Sequence, residues 1–244
     1  MKTRSRKIIN AVLILIILFC GLKIFQKYHG YYTDYKSYEK LRNYSPVSDS
    51  NSTNNTTKES KSDSTKEKNL KDINSDYVFW IKVSGTNIDF PVVQGKDNDF
   101  YLKHDFDKKK SFSGSIFVDY KNNINKDKNV IIFGHNMRND TMFAQMNQFE
   151  NENFFKNNKY VTIYKDGKEK QYEIFSVYLG NAKKLKIDPT FSSNEDYENY
   201  LKKQKELSLF KRNINLSSND KIITLVTCNY DFDDARLVVV AKEL

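Results

Sequence analysis

About eight short runs rich in β-branched and aromatic residues follow one another from residue 77 to the end of the chain, and they limit its fold more than any other feature. They are Tyr77–Val83 (YVFWIKV), Ile88–Val93 (IDFPVV), Ser115–Tyr120 (SIFVDY), Asn129–Phe133 (NVIIF), Tyr160–Tyr164, Lys170–Leu179, Lys221–Cys228 (KIITLVTC) and Arg236–Ala241 (RLVVVA). Ser84-Gly85-Thr86-Asn87 separates the first two, and Asp166-Gly167 between the fifth and sixth is a strong hairpin signal. This spacing predicts a mainly β barrel or sandwich. Two stretches break the pattern. Thr141–Phe155 carries Met142, Met146 and Phe149 at helical spacing, and Asn194–Phe210 carries Tyr197, Tyr200, Leu201 and Leu207 along one helix side. Both apolar sets read as core contacts.

The N-terminus obeys different rules. Lys2, Arg4, Arg6 and Lys7 precede residues 8–22, IINAVLILIILFCGL, in which Asn10 is the one strongly polar residue. Extended to Phe25, with Lys23 snorkelling outward, the run reaches the short end of a membrane-spanning helix. A cleaved signal peptide has the same opening, but no small-x-small site follows the run, so the anchor is favoured. Phe19 is too bulky for a lipoprotein site at Cys20, which reads as one more apolar residue of the span. The basic cluster keeps the N-terminus cytoplasmic and places the rest outside a single-pass anchor. Tyr28, Tyr31, Tyr32, Tyr35 and Tyr38 then recur on one helix face, which suits either the membrane–water boundary or a solvated stalk.

From Ser45 to Asn69 the chain has a single Val and no aromatic residue, too little apolar surface to offset ordering entropy. The expected division is therefore 1–28 for the cytoplasmic tip and transmembrane anchor, 29–69 for a stalk and disordered polar linker, and 70–244 for the folded domain. The net charge of +9 tests a nucleic-acid reading. Residues 1–76 hold 14 Lys/Arg against 8 Asp/Glu, so most of the excess lies outside the folded part, and nucleic acid is not expected as a partner. Two Cys and three His exclude a disulfide framework and a His-rich metal cage.

The candidate chemistry sits at strand ends. Cys228 ends the run TLVTC, a polar loop follows, and Arg236 opens RLVVV, so antiparallel pairing would bring thiol and guanidinium to one mouth of the sheet. His135 ends NVIIFGHN, with Gly134 permitting a tight backbone. A thiolate is a nucleophile favoured by neighbouring cations, an imidazole can protonate a departing amine, and a fixed cation can hold an oxyanion. Together they suggest acyl transfer. Each residue also has a plainer reading: Cys228 as a small buried hydrophobe, His135 as a hydrogen-bonded structural histidine, and Arg236 as an ion-pair partner of Asp231, Asp233 or Asp234. His29, in the stalk, and His104, in a charged loop, offer less.

At these residues the chain resembles the sortases, cell-wall transpeptidases of Gram-positive bacteria. TLVTC, the Arg eight positions later and the FGHN strand end carry the likeness, over roughly residues 70–244. The opening NSDYVFWIKVSGTNIDFPVVQ, the run SGSIFVDY, the helical insertion before the Cys strand and the ending CNYDFDDARLVV are similar to class B members. The resemblance implies an eight-stranded β-barrel behind a membrane anchor. It implies Cys228 as nucleophile, His135 as general acid/base and Arg236 as the oxyanion- or substrate-orienting residue. The implied partners are secreted proteins with a C-terminal sorting motif, whose acyl group passes to an amine of the peptidoglycan cross-bridge, and the membrane. No cofactor and no metal are implied, since class B members do not resemble the calcium-stimulated class A type. Two other readings stay open. One is an extracellular cysteine peptidase, although the His-before-Cys order is not papain-like and no caspase-type QAC signature occurs. The other is a non-catalytic anchored binding domain with Cys228 in its core.

Overall fold

The structure, a computed structural model, describes residues 2–46, 59–229 and 233–244. Eight strands, β1 (Tyr77–Val83), β2 (Asp89–Val93), β3 (Ile116–Val118), β4 (Asn129–Phe133), β5 (Tyr160–Lys165), β6 (Lys168–Asn181), β7 (Ile222–Cys228) and β8 (Ala235–Glu243), close into a barrel in the order β1-β2-β3-β4-β7-β8-β6-β5. Pairing is antiparallel except at β2–β3 and β4–β7, where long connections return the chain in the same direction. Closure removes the unpaired edges that an open sheet of such apolar strands would expose. The β5–β6 hairpin turns at Asp166 (φ 52°) and Gly167 (φ 70°), the positive dihedrals that a two-residue turn matching strand twist requires.

Alternation along β8 explains its unbroken apolar run. Leu237, Val239 and Ala241 join the barrel core, while Val238 and Val240 join a second cluster on the other face. That second cluster is covered by α4 (Asn194–Leu207), which lays Tyr197 and Leu201 against Phe175 and Tyr178 of β6. Ser193 caps α4, its side chain accepting from Asp196 N at 3.1 Å. Leu207, expected on the buried side, is exposed. Gln204 is buried instead, and its side chain and carbonyl accept from Tyr178 Oη (2.8 Å) and Ser176 Oγ (2.6 Å). The Thr141–Phe155 stretch is not one helix. It divides into a 3-10 helix (Ala144–Glu150) and α3 (Glu152–Asn157) because extended Asn151 caps α3, accepting from Phe154 N at 3.1 Å.

Two helices precede the barrel, α1 (Lys2–Arg42) and α2 (Glu59–Ile73). The first is long and apolar enough to cross a membrane, and its side chains from Ile8 to Phe25 are exposed. The structure departs here from the expected stalk and disordered linker over 29–69. The far half of α1 is docked on the barrel: Asp34, Tyr38 and Leu41 are buried, and Tyr38 Oη donates to Gly114 O at 2.7 Å. The tyrosine spacing thus serves a protein contact at Tyr38. Helix α2 crosses the expected boundary at residue 70. Its Leu70 is fully buried, and Glu67 accepts from Gly167 N at 2.9 Å in the β5–β6 turn. A few anchoring side chains hold a helix whose average composition is that of a solvated segment. The rest of the expected linker, 47–58, lies outside the described residues.

Candidate active site

Parallel pairing of β4 with β7 sets Phe133 beside Val226, so the next residues of both strands leave the barrel together. Antiparallel pairing of β7 with β8 sets Cys228 directly opposite Arg236. The three candidates therefore line one cavity of about 370 Å³, with Asn98, Asp99, Leu102, Phe117, Phe133 and Thr227 completing its wall. Cys228 is half-buried and unpaired with another cysteine, consistent with a thiol a substrate can reach.

The strand ends are pinned to each other. Thr227 Oγ1 donates to Gly134 O at 2.8 Å, and Gly134 N donates to Val226 O at 3.2 Å. Asn136 Nδ2 donates to the carbonyl of Cys228 at 2.8 Å, and Asn147 Nδ2, on the 3-10 helix, donates to Asn136 Oδ1 at 3.3 Å. Asn229 Nδ2 donates to Glu150 Oε1 at 3.0 Å. The 3-10 helix thus braces the residues that flank both the thiol and the imidazole. Gly134 is required for space rather than for an unusual dihedral. A Cβ there would lie 2.8 Å from the ring of buried Phe143.

His135 Nε2 lies 2.8 Å from the carbonyl oxygen of Leu102. A carbonyl only accepts, so Nε2 carries the proton of this bond and Nδ1 is the nitrogen left for other work. Arg236 Nη1 donates to Ala235 O at 2.9 Å, which fixes one edge of the guanidinium. Asp234, one of the proposed ion-pair partners, is held by Lys183 at 2.8 Å, and that contact, with a lesser pull from Arg236, keeps its carboxyl below the usual range. Asp231 lies outside the described residues. His29 and His104 stay away from the cavity, His104 stacking on Phe100 at 4.0 Å.

Sequence reasoning missed Asn98, Asp99 and Leu102, which come from the excursion between β2 and β3. Leu102 acts through its backbone carbonyl, which no side-chain pattern announces. Asn136 had a usable signal, its place beside His135 at a strand end.

Known proteins share this architecture. A family model described as the sortase domain matches residues 81–244. Sortase B of Listeria monocytogenes is 37% identical over 178 residues, covering 72% of each chain. Sortase B of Staphylococcus aureus is 33% identical over 242 residues, covering 98% of this chain and 96% of that one. The X-ray structure of a mutant form of Clostridium perfringens sortase B superposes with a TM-score of 0.80 at 62% identity, covering 85% of this chain and 97% of that one. The barrel, the three residues converging on its mouth and these matches place the chain in the sortase family of transpeptidases, among its class B members.

Proposed function

We propose that this chain is a membrane-anchored cysteine transpeptidase that cleaves a C-terminal sorting motif of secreted proteins and passes the acyl group to a peptidoglycan amine. The observation that carries the reading is the convergence of Cys228, His135 and Arg236 on one cavity from three strand ends. Cys228 Sγ, as thiolate, attacks the scissile carbonyl carbon. The oxygen takes the negative charge, which the Arg236 guanidinium meets with directional N–H donors. The C–N bond breaks as His135 gives its proton to the departing amine, leaving a thioester. An incoming amine attacks that thioester, loses its proton to His135 and expels the thiolate. With Nε2 held by Leu102, Nδ1 is the shuttle atom. In this reading residues 1–28 form the cytoplasmic tip and anchor, and the catalytic domain lies outside the cell.

The test is a peptide library of LPxTG-, NPQTN- and SPxTG-like motifs, with and without triglycine. The expected outcome is an acyl adduct on Cys228 by mass spectrometry and a new amide when amine is present. Cys228→Ala is expected to lose turnover while keeping its circular dichroism spectrum, since only a sulfur and a small volume are removed. Free acid as sole product at every amine concentration would favour the peptidase reading.

A further inference from the structure

We propose that the loop Lys108–Phe112 is a second membrane contact, which presses against the anionic headgroups beside the spanning helix. The proposal rests on the anchor reading of α1. Ile8 to Phe25 is the apolar part of α1, about 27 Å at 1.5 Å per residue, close to the thickness of a bilayer core. Gly30 follows five residues later, about 7.5 Å further along the axis, at the outer edge of a headgroup layer about 5–7 Å deep.

The barrel touches α1 at that level. A Cβ on Gly30 would lie 3.0 Å from Phe112 Cδ2, so the Phe112 ring rests on the helix there. The contact then climbs in register. Ser113 N donates to Asp34 Oδ2 at 3.1 Å, and Tyr38 Oη donates to Gly114 O at 2.7 Å and approaches Ser115 Oγ at 3.2 Å. Moving away from the membrane along α1, residues 112, 113, 114 and 115 are met in turn. Phe112 is therefore the membrane-side end of the docked segment, and it remains 65% exposed.

Its surroundings fit a lipid surface. Lys108, Lys109 and Lys110 precede it and are exposed, as is Lys103. Residues 103–112 hold four lysines against two aspartates, one of which, Asp105, is buried. Lys108 and Lys109 pair with Asp76 (2.8 Å) and Asp107 (3.0 Å), which leaves the exposed Lys103 and Lys110 outside any ion pair among the described residues. An exposed aromatic ring beside several ammonium groups is the composition of an interfacial contact with anionic lipid. The same excursion carries Leu102, whose carbonyl holds His135, so the contact would tie one wall of the catalytic cavity to the bilayer.

The full chain provides its own test. Its single tryptophan, Trp80, is fully buried and gives a constant background. Phe112→Trp is placed in nanodiscs of phosphatidylglycerol and phosphatidylcholine, with acyl chains brominated near the headgroup or plain. The expected result is a blue-shifted emission that brominated lipid quenches, with the parent chain unaffected. Adding Lys109→Gln and Lys110→Gln should abolish most of the quenching, because each lysine near an anionic surface shifts the contact equilibrium about fivefold. Emission characteristic of water, equal in brominated and plain discs, overturns the proposal. Failure of the anchor reads out separately, as release of the chain from vesicles by an alkaline carbonate wash. Unchanged transpeptidation by Phe112→Trp in detergent shows that the fold is intact.

Discussion

At the scale of single residues, the proposed site divides into groups placed to react and groups that hold them. Arg236 faces Cys228 across the β7–β8 ladder and already spends one donor on Ala235 O. A lysine offers a mobile point charge rather than a rigid fork. Arg236→Lys is therefore expected to lower the catalytic rate by a hundred- to a thousand-fold, about 2.7–4 kcal/mol, with the melting temperature nearly unchanged. Retention of more than about a third of the rate would remove Arg236 from the chemistry. Gly134 makes a complementary case. A methyl group there meets the ring of buried Phe143, so Gly134→Ala is expected to cost about 1–3 kcal/mol of stability by chemical denaturation. It should also slow turnover by displacing His135. The meeting of Cys228, His135 and Arg236 at one cavity was legible because each lies at the end of an apolar run. Leu102 was not, since a backbone carbonyl more than thirty residues upstream of His135 looks like any other.

Among elements, strands were easier to read than helices. β1 and β4 span the residues their composition indicated, because Gly, Asn and Asp end each run abruptly. The β5–β6 hairpin extended further than the run Lys170–Leu179, since Lys168 and Glu169 join the backbone ladder opposite Lys165 and Tyr164 despite their polarity. α2 was illegible for the opposite reason. Its side chains are those of a solvated linker, and its place is set by Leu70 and by the bond from Gly167 N to Glu67. Burial pushes the Glu67 carboxyl up from its usual range, with the Gly167 N–H and Lys71 opposing and Asp166 adding to the rise. A carboxyl raised in the folded state favours folding when protonated. Its stabilising contribution is complete below the unfolded value of about 4.3 and is lost as pH rises through the folded value. Glu67→Gln keeps an acceptor for Gly167 N–H. Its melting temperature relative to the parent is expected to climb as pH rises through the weakly acidic range. A difference that stays flat from pH 4 to 8 would count against this account.

On the scale of the whole molecule, the helix that reads as an anchor is also part of the folded body. The tyrosine series on α1 could have faced lipid, water or protein, and composition cannot choose among them. The buried neighbours of Tyr38, namely Phe90 at 5.4 Å and the Gly114 carbonyl, make the choice for that residue. Leu41→Ala should cost about 2–5 kcal/mol if the contact persists in solution, measured by denaturant unfolding of the full chain in detergent. A loss under about 0.5 kcal/mol, the level of ordinary surface changes, would show the far half of α1 to be undocked. Removing residues 1–69 is likewise expected to lower the melting temperature of the barrel, because it uncovers Phe90 and leaves the Gly114 carbonyl without Tyr38.

Lys66 Nζ of α2 donates to the carbonyl of Ser45, just past α1, at 2.9 Å, so the two N-terminal helices are tied to each other as well as to the barrel. On the proposed anchoring, the length of sequence between those helices therefore does not set how far the proposed catalytic mouth stands from the lipid, since that distance belongs to α1. Doubling the length of a chain that joins two tied points adds only about 0.6 kcal/mol of closure entropy. The interval 47–58 is thus a natural port for engineering. An epitope, a fluorescent protein or a protease site spliced there should leave transpeptidation undisturbed, and, on the proposed anchoring, cutting at such a site should not release the barrel from the membrane.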